Sequence, residues 1–210
     1  ISTAQSKFGG ASGQFVTATT DEINVAANDD FNFGTGDFTV EFWIYFVASA
    51  LTQSIFDMRT SALAQAALSV EVSSTGYVKL YVNGAFQITA AAALSDNAWH
   101  NIAISRVSGV TRMFINGTVE VATYTDANNY TAKPLNIGAY WNSTAHLNAY
   151  IDDFRVSKGI GRYTSSFTLP TSPYGSDSYT VLLLHFNGTN GSTTFTAVSY
   201  THLTLPTILL

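Results

Sequence analysis

Two short stretches carry side chains that could meet a ligand: YWNST, with Tyr140, Trp141 and Asn142, and DANNY, with Asn128 and Tyr130. Flat aromatic faces beside amides and hydroxyls can stack on a sugar ring and hydrogen-bond its edge. Two readings stand for Trp141, a sugar contact or a plug closing one end of the fold. Acids offer less. Glycoside hydrolysis needs two carboxyl groups roughly 5 to 9.5 Å apart, which on a strand means i and i+2 or i+4 on one face. Glu41 stands alone in TVEFWIY and Glu71 alone in SVEVSS, while Asp152 and Asp153 are adjacent and so are expected on opposite faces. No catalytic residue is assigned and the chain is read as a non-enzyme. Asp152 shares a strand face with Phe154 and Val156, which would bury it unless the strand is bulged. A buried carboxylate needs backbone N–H donors or a cation. Calcium needs six to eight oxygens, and no calcium-loop spacing joins Asp126 to Asn128 and Asn129. No cofactor is therefore expected. Calcium is the one cation left open, with Asp126 and Asp152 as its candidate ligands.

The elements that must position these residues are strands. Phe38, Val40, Phe42, Ile44 and Phe46 form one apolar row, with Thr39, Glu41, Trp43 and Tyr45 opposite. Similar runs follow at Leu68 to Val72, Tyr77 to Val82, Asn101 to Arg106, Thr111 to Ile115, Leu135 to Gly138 and Leu147 to Val156. Asn83-Gly84 and Asn116-Gly117 suit two-residue hairpins. The best helical patch, Ala90 to Ser95, is too short to shape the architecture. The expected fold is all-β, two stacked antiparallel sheets. Trp43 and Trp99 are assigned to packing, and His100 and His146 to local contacts.

Composition narrows the partners. A net charge of −5 with nine Lys plus Arg leaves no basic surface for a phosphate backbone, so nucleic acid is excluded. With no cysteine there is neither a disulfide framework nor a thiolate metal site. No apolar run approaches the roughly 18 residues of a membrane-spanning helix, so no membrane insertion is expected.

The segments FNFGTGDFTVEFWIYF (31–46), AWHNIAISR (98–106), RMFINGT (112–118), LNIGAYW (135–141) and AYIDDFRVSKGIGRYTSSFTLPTSPY (149–174) occur in that order. The series resembles the laminin G-like jelly-roll modules of the concanavalin A-like lectin and glucanase superfamily, of the kind found in tandem in phage virion and bacterial surface proteins. That resemblance implies a jelly-roll sandwich, a virion or cell-surface setting, and neighbouring modules of the same polypeptide as partners. It also implies either a glycan- or receptor-binding module or a purely structural decoration or spacer. The glucanases of the superfamily carry a Glu-x-Asp-x-Glu strand that nothing here matches. Ala149 stands where such modules often have Gly.

The same resemblance suggests a domain organisation. Residues 1–174 are expected to form one module lacking its own first strand, 175–180 a linker, and 181–196 the first strand of a following module, which would fill the vacant place. Residues 197–210, AVSYTHLTLPTILL, resemble the translation of a sequencing-library adapter and are expected to be non-native. His202 therefore carries no weight.

Overall fold

The computed structural model describes residues 1–194, 197 and 199–200. Its strands, in chain order, are β1 (Gly13–Phe15), β2 (Ile23–Val25), β3 (Phe38–Phe46), β4 (Gln53–Asp57), β5 (Ser69–Val72), β6 (Val78–Val82) and β7 (Ala85–Thr89). They continue with β8 (Ala98–Val107), β9 (Val110–Ile115), β10 (Thr118–Thr125), β11 (Leu135–Ile137), β12 (Ala149–Lys158), β13 (Thr180–Leu184) and β14 (Ser199–Tyr200). Among the described residues the only helical elements are two 3₁₀ turns, Thr17–Thr19 and Asp29–Phe31. Ala90 to Ser95 forms no helix.

Two antiparallel sheets result. One runs β10-β9-β8-β3-β12-β13-β14, with β1 also pairing β12, and the other runs β2-β11-β4-β5-β6-β7. The apolar row of β3 explains why it sits at the centre of the larger sheet: Phe38, Val40, Phe42, Ile44 and Phe46 are all buried against the other sheet. Phe42 stacks on Phe154 with centroids 5.3 Å apart, and both meet Phe56 of β4 edge-on across the sandwich. Burial of such rings supplies most of the drive to associate the sheets, about 1.5–3 kcal/mol per large side chain. Both Asn-Gly pairs make left-handed turns, Asn83 and Gly84 at φ 53° and 81° and Asn116 and Gly117 at 51° and 75°. These are the type I′ values that match the twist of paired strands.

The other face of β3 is buried as well. Residues 1–12 and 159–180 lie over it, and Trp43 packs with Tyr174, Leu183, Phe8, Trp99 and Leu169. Trp43 and Trp99 are thus packing residues. The 175–180 stretch is no free linker: Arg155 Nη1 donates to the Gly175 carbonyl, and Arg162 Nη2 bonds both oxygens of Asp177. Beyond it β13 pairs with β12, Leu184 facing Phe154 and Leu182 facing Val156. Leu182 and Leu184 join the main core while Leu183 points into the outer cluster. Of 197–210, Ala197 packs against the core and β14 pairs with β13, and the rest lies outside the described residues.

A bulge in β12 changes the expected placement of its acids. Opposite β3 the register jumps between Asp152 and Arg155, and Asp153 takes a left-handed φ of 51°. One extra residue turns the strand, so Phe154 and Val156 face the core while Asp152, opposite Trp43, lies on the outer side. Asp153 reaches the same side, meeting the amide of outer-cluster residue Tyr174. The strand is therefore bulged, the one condition under which Asp152 would not share a face with Phe154, and for the same reason the two aspartates do not point to opposite faces as expected.

Candidate functional site

Among the described residues, the outer face of the six-stranded sheet has a shorter cover, the loop at 140–144 lying against buried Asp57 and Glu71. Strand alternation places Asp57 beside Ser69, Ser69 beside Tyr81, and Glu71 beside Lys79 on that face. Phe86 follows across the β6–β7 hairpin. Just past β4, Arg59 folds back on Asp57. Its Nε bonds both carboxylate oxygens at 2.9 and 3.1 Å, and its Nη2 bonds Oδ2 at 2.9 Å. Two tyrosine rings flank the guanidinium, with Arg59 Cζ 4.8 Å from the Tyr81 centroid and 4.7 Å from that of Tyr140. Each such contact is worth about 0.5–2 kcal/mol, more as water is excluded.

The segment after β11 supplies the second wall. Gly138, at φ 90°, lies so close to the Phe15 ring that a Cβ would collide with it. This close pass lets the chain turn into the tight loop 140–144, closed by the Tyr140 amide to the Thr144 carbonyl at 2.8 Å. The Trp141 amide donates to Asp57 Oδ2 at 3.1 Å, and the Tyr140 hydroxyl donates to Glu71 Oε2. Burial, reinforced by Glu71, pushes the Tyr140 hydroxyl far above its ordinary range, so it stays a donor. Trp141 is 37% exposed, and Phe86, 47% exposed, meets the Tyr81 ring edge-on and carries Lys79 Nζ 4.7 Å from its centroid. Asn142 is exposed and its Oδ1 accepts from Thr144.

Two polar atoms here are uncommitted. Among the described residues, Arg59 Nη1 and Glu71 Oε1 make no hydrogen bond, and neither is sealed from solvent. They are held within the span of one tyrosine, since Tyr140 stacks on one partner and bonds the other. A donor, an acceptor and aromatic walls converge on an open face. This is the equipment needed to hold a polyhydroxylated ring.

Of the expected site residues, Tyr140, Trp141 and Asn142 lie here. Asn128 and Tyr130 do not join them. Tyr130 is 2% exposed, and its hydroxyl donates to Asp126 Oδ2 at 2.8 Å. Asn128 is taken up by Asn83, Tyr124 and Asp126. The DANNY loop instead pins Arg106, whose Nη2 bonds the Asp126 carbonyl at 2.6 Å, and so ties the loop to β8. Asp57, Arg59 and Tyr81 were not singled out from the sequence. The signal available was Asp57-x-Arg59 at i, i+2 and the alternation of Lys79 with Tyr81.

The residues present do not fit calcium. Asp126 already accepts from Thr111, Tyr130 and, twice, Asn128, and the Arg106 guanidinium lies 3.8 Å away. Asp152 Oδ2 accepts the Lys7 and Phe8 amides at 2.9 and 3.0 Å, while its buried Oδ1 has no partner. Burial raises its pKa to about 7 against the pull of those amides, with Asp153 pushing the same way as burial. The group is thus partly protonated near neutral pH. Among the described residues no three His, Cys, Asp or Glu side chains gather as metal ligands. His100 bonds Ser95 and Asn116, a local contact. Glu41 is sealed against Arg155, Arg162 and Tyr163.

A family model of laminin G-like domains of the concanavalin A-like lectin/glucanases superfamily matches residues 17–160, more than half of the chain. No curated protein matches. Among solved structures, a candidate carbohydrate-binding protein from Bacteroides ovatus ATCC 8483 superposes with a TM-score of 0.62 at 16% identity, over 84% of this chain and 51% of that one. The chain thus spans about half that protein's length. A heptameric SAP-like pentraxin from Limulus polyphemus gives 0.51 at 15% identity, over 71% and 76%. NanB with Optactamide gives 0.53 at 15%, over 78% and 28%. At such identities the likeness is one of fold. With the sandwich and the family match in agreement, the chain belongs to the laminin G-like domains of the concanavalin A-like lectin/glucanase superfamily.

Proposed function

We propose that this chain is a non-catalytic carbohydrate-binding module and that the outer face of the six-stranded sheet is its binding surface. One observation carries the reading: the Arg59 guanidinium, with Nη1 uncommitted, lies between the Tyr81 and Tyr140 rings, Glu71 with Oε1 uncommitted takes the Tyr140 hydroxyl, and Trp141 and Phe86 are exposed on the same side. The candidate carbohydrate-binding protein of B. ovatus, alike in fold, supports the class of ligand. The acids on this face are engaged as structure, Asp57 by a bidentate arginine and Glu71 by a tyrosine, which argues for binding and against hydrolysis. A virion or cell-surface setting, where the module would meet glycans or receptors and where β13 would serve a neighbouring module in an array, completes the reading and rests on the sequence resemblance. The test is a glycan array probed with the full chain and with Trp141→Ala. Reproducible binding lost in the variant supports the proposal. Silence across varied glycans overturns it in favour of a spacer role.

A further inference from the structure

We infer that the face built on Arg59 selects neutral sugars through a pair of neighbouring hydroxyls and rejects glycans bearing a carboxylate or sulfate. The inference rests on the binding reading above and adds the ligand's chemical class. Charge on this face is matched within the protein. The Arg59 guanidinium is chelated by Asp57 through Nε and Nη2, and Lys79, opposite Glu71 in register, lies 4.7 Å over the Phe86 ring. Two carboxylates thus stand with two cations: Asp57 neutralises Arg59 in direct contact, while Lys79 is the cross-strand neighbour of Glu71 and rests on the Phe86 ring. An anion brought to Arg59 Nη1 would meet a guanidinium already neutralised by Asp57 and would lie near the Glu71 carboxylate, so it would lose its water for little in return.

A hydroxyl pair meets the opposite situation. One hydroxyl can accept from Arg59 Nη1 while its neighbour donates to Glu71 Oε1, each bond being assisted by a formal charge. Hydroxyls both donate and accept, so a pair of them can satisfy a donor and an acceptor on the same face. The exposed indole of Trp141 and the Phe86 ring supply apolar surface for the C–H face of a pyranose. The flanking tyrosines hold the guanidinium plane fixed, so the geometry exists before the ligand arrives.

The experiment is a glycan array carrying neutral, sialylated, uronate and sulfated oligosaccharides, probed with the full chain and with Glu71→Gln. Titration calorimetry on the best neutral hit and its acidic counterpart follows. Glu71→Gln keeps an acceptor for Tyr140 but removes one negative charge. The expected result is binding confined to neutral glycans in the wild type. In the variant, neutral affinity should fall about tenfold and acidic glycans should begin to bind. Acidic glycans binding the wild type as tightly as neutral ones would overturn this inference while leaving a binding module. So would an unchanged preference in Glu71→Gln. Should Glu71→Gln fold poorly, the wild-type neutral-to-acidic ratio alone decides. No binding to any class, with Trp141→Ala equally silent, would remove the binding reading itself.

Discussion

The two outer faces of the sandwich hold the same groups, an acid, an arginine and two tyrosines, under different cover. On the eight-stranded sheet Glu41 takes Arg155 on one oxygen and Tyr163 on the other, Arg155 lies 4.4 Å from the Tyr174 ring, and its Nη1 goes to the Gly175 carbonyl. On the six-stranded sheet Asp57 takes Arg59, two tyrosines flank it, and Nη1 has no protein partner. Segment 159–180 makes the difference, since it brings both Tyr163 and Tyr174 and the carbonyl that closes the first set. An ion pair whose donors are all answered by protein is part of the core. The same pair with one edge left to solvent is a place for a ligand to complete.

The comparison breaks most visibly in stability. Glu41→Ala strands the Arg155 charge in a sealed site and should cost about 3–5 kcal/mol. Asp57→Ala leaves Arg59, no more exposed than Arg155 but with an Nη1 not committed to protein, so a smaller loss of about 1–3 kcal/mol is expected. Urea unfolding of both variants checks this, and equal losses would erase the distinction between the faces. Next in size is the pair Leu183→Ala and Phe86→Ala. Leu183 is fully buried under the covering segment and its truncation should cost about 2–5 kcal/mol. Phe86, on the open face, should change stability by under about 0.5 kcal/mol.

Asp152 sharpens the contrast through pH. Its carboxyl titrates near 3.8 when unfolded and near 7 when folded, so between those values the folded chain holds more protons. The stability it contributes is full below about pH 4 and falls as pH rises to 7, by at most about 1.4 kcal/mol per pH unit. Asp152→Asn keeps an oxygen for the Lys7 and Phe8 amides and should flatten that slope. A slope unchanged in the variant would assign it to other groups, Asp153 and His185 being the nearest ionisable pair on that side. The smallest stability effect belongs to Trp141→Ala, within about 0.5 kcal/mol, although glycan affinity should drop about tenfold.

Period-2 patterning made the core strand legible: the row Phe38 to Phe46 faces inward as its alternation requires, and both Asn-Gly pairs turn as their residue types demand. The opposite row was not legible in the same way, because Glu41 and Trp43 are buried by segments far along the chain that no local pattern announces. The bulge at Asp153 could be allowed for but not located, because one inserted residue leaves the hydrophobic string looking regular while reversing which side Asp152 occupies. Half of the proposed site coincides with Tyr140, Trp141 and Asn142, where loop chemistry is concentrated in sequence. Asp57, Arg59, Glu71 and Tyr81 were not, because strand pairing and the fold back of the 140–144 loop create their proximity. Tyr130 misled for the converse reason, since an aromatic residue in a polar loop reads as exposed until Asp126 is found waiting for its hydroxyl beneath the surface.

The central claim is that ligands meet the open face and not the sealed one, and the three tryptophans report on it directly. Trp141 stands on the open face, Trp43 is buried beneath the covering segment, and Trp99 packs at the edge of that same cluster. Following the three indole N–H resonances by two-dimensional NMR during titration with a neutral oligosaccharide that binds gives the answer in one experiment. The account predicts that the Trp141 resonance moves with saturation while those of Trp43 and Trp99 stay in place. Saturable movement of Trp43 or Trp99 with Trp141 unmoved would put the ligand elsewhere and contradict it.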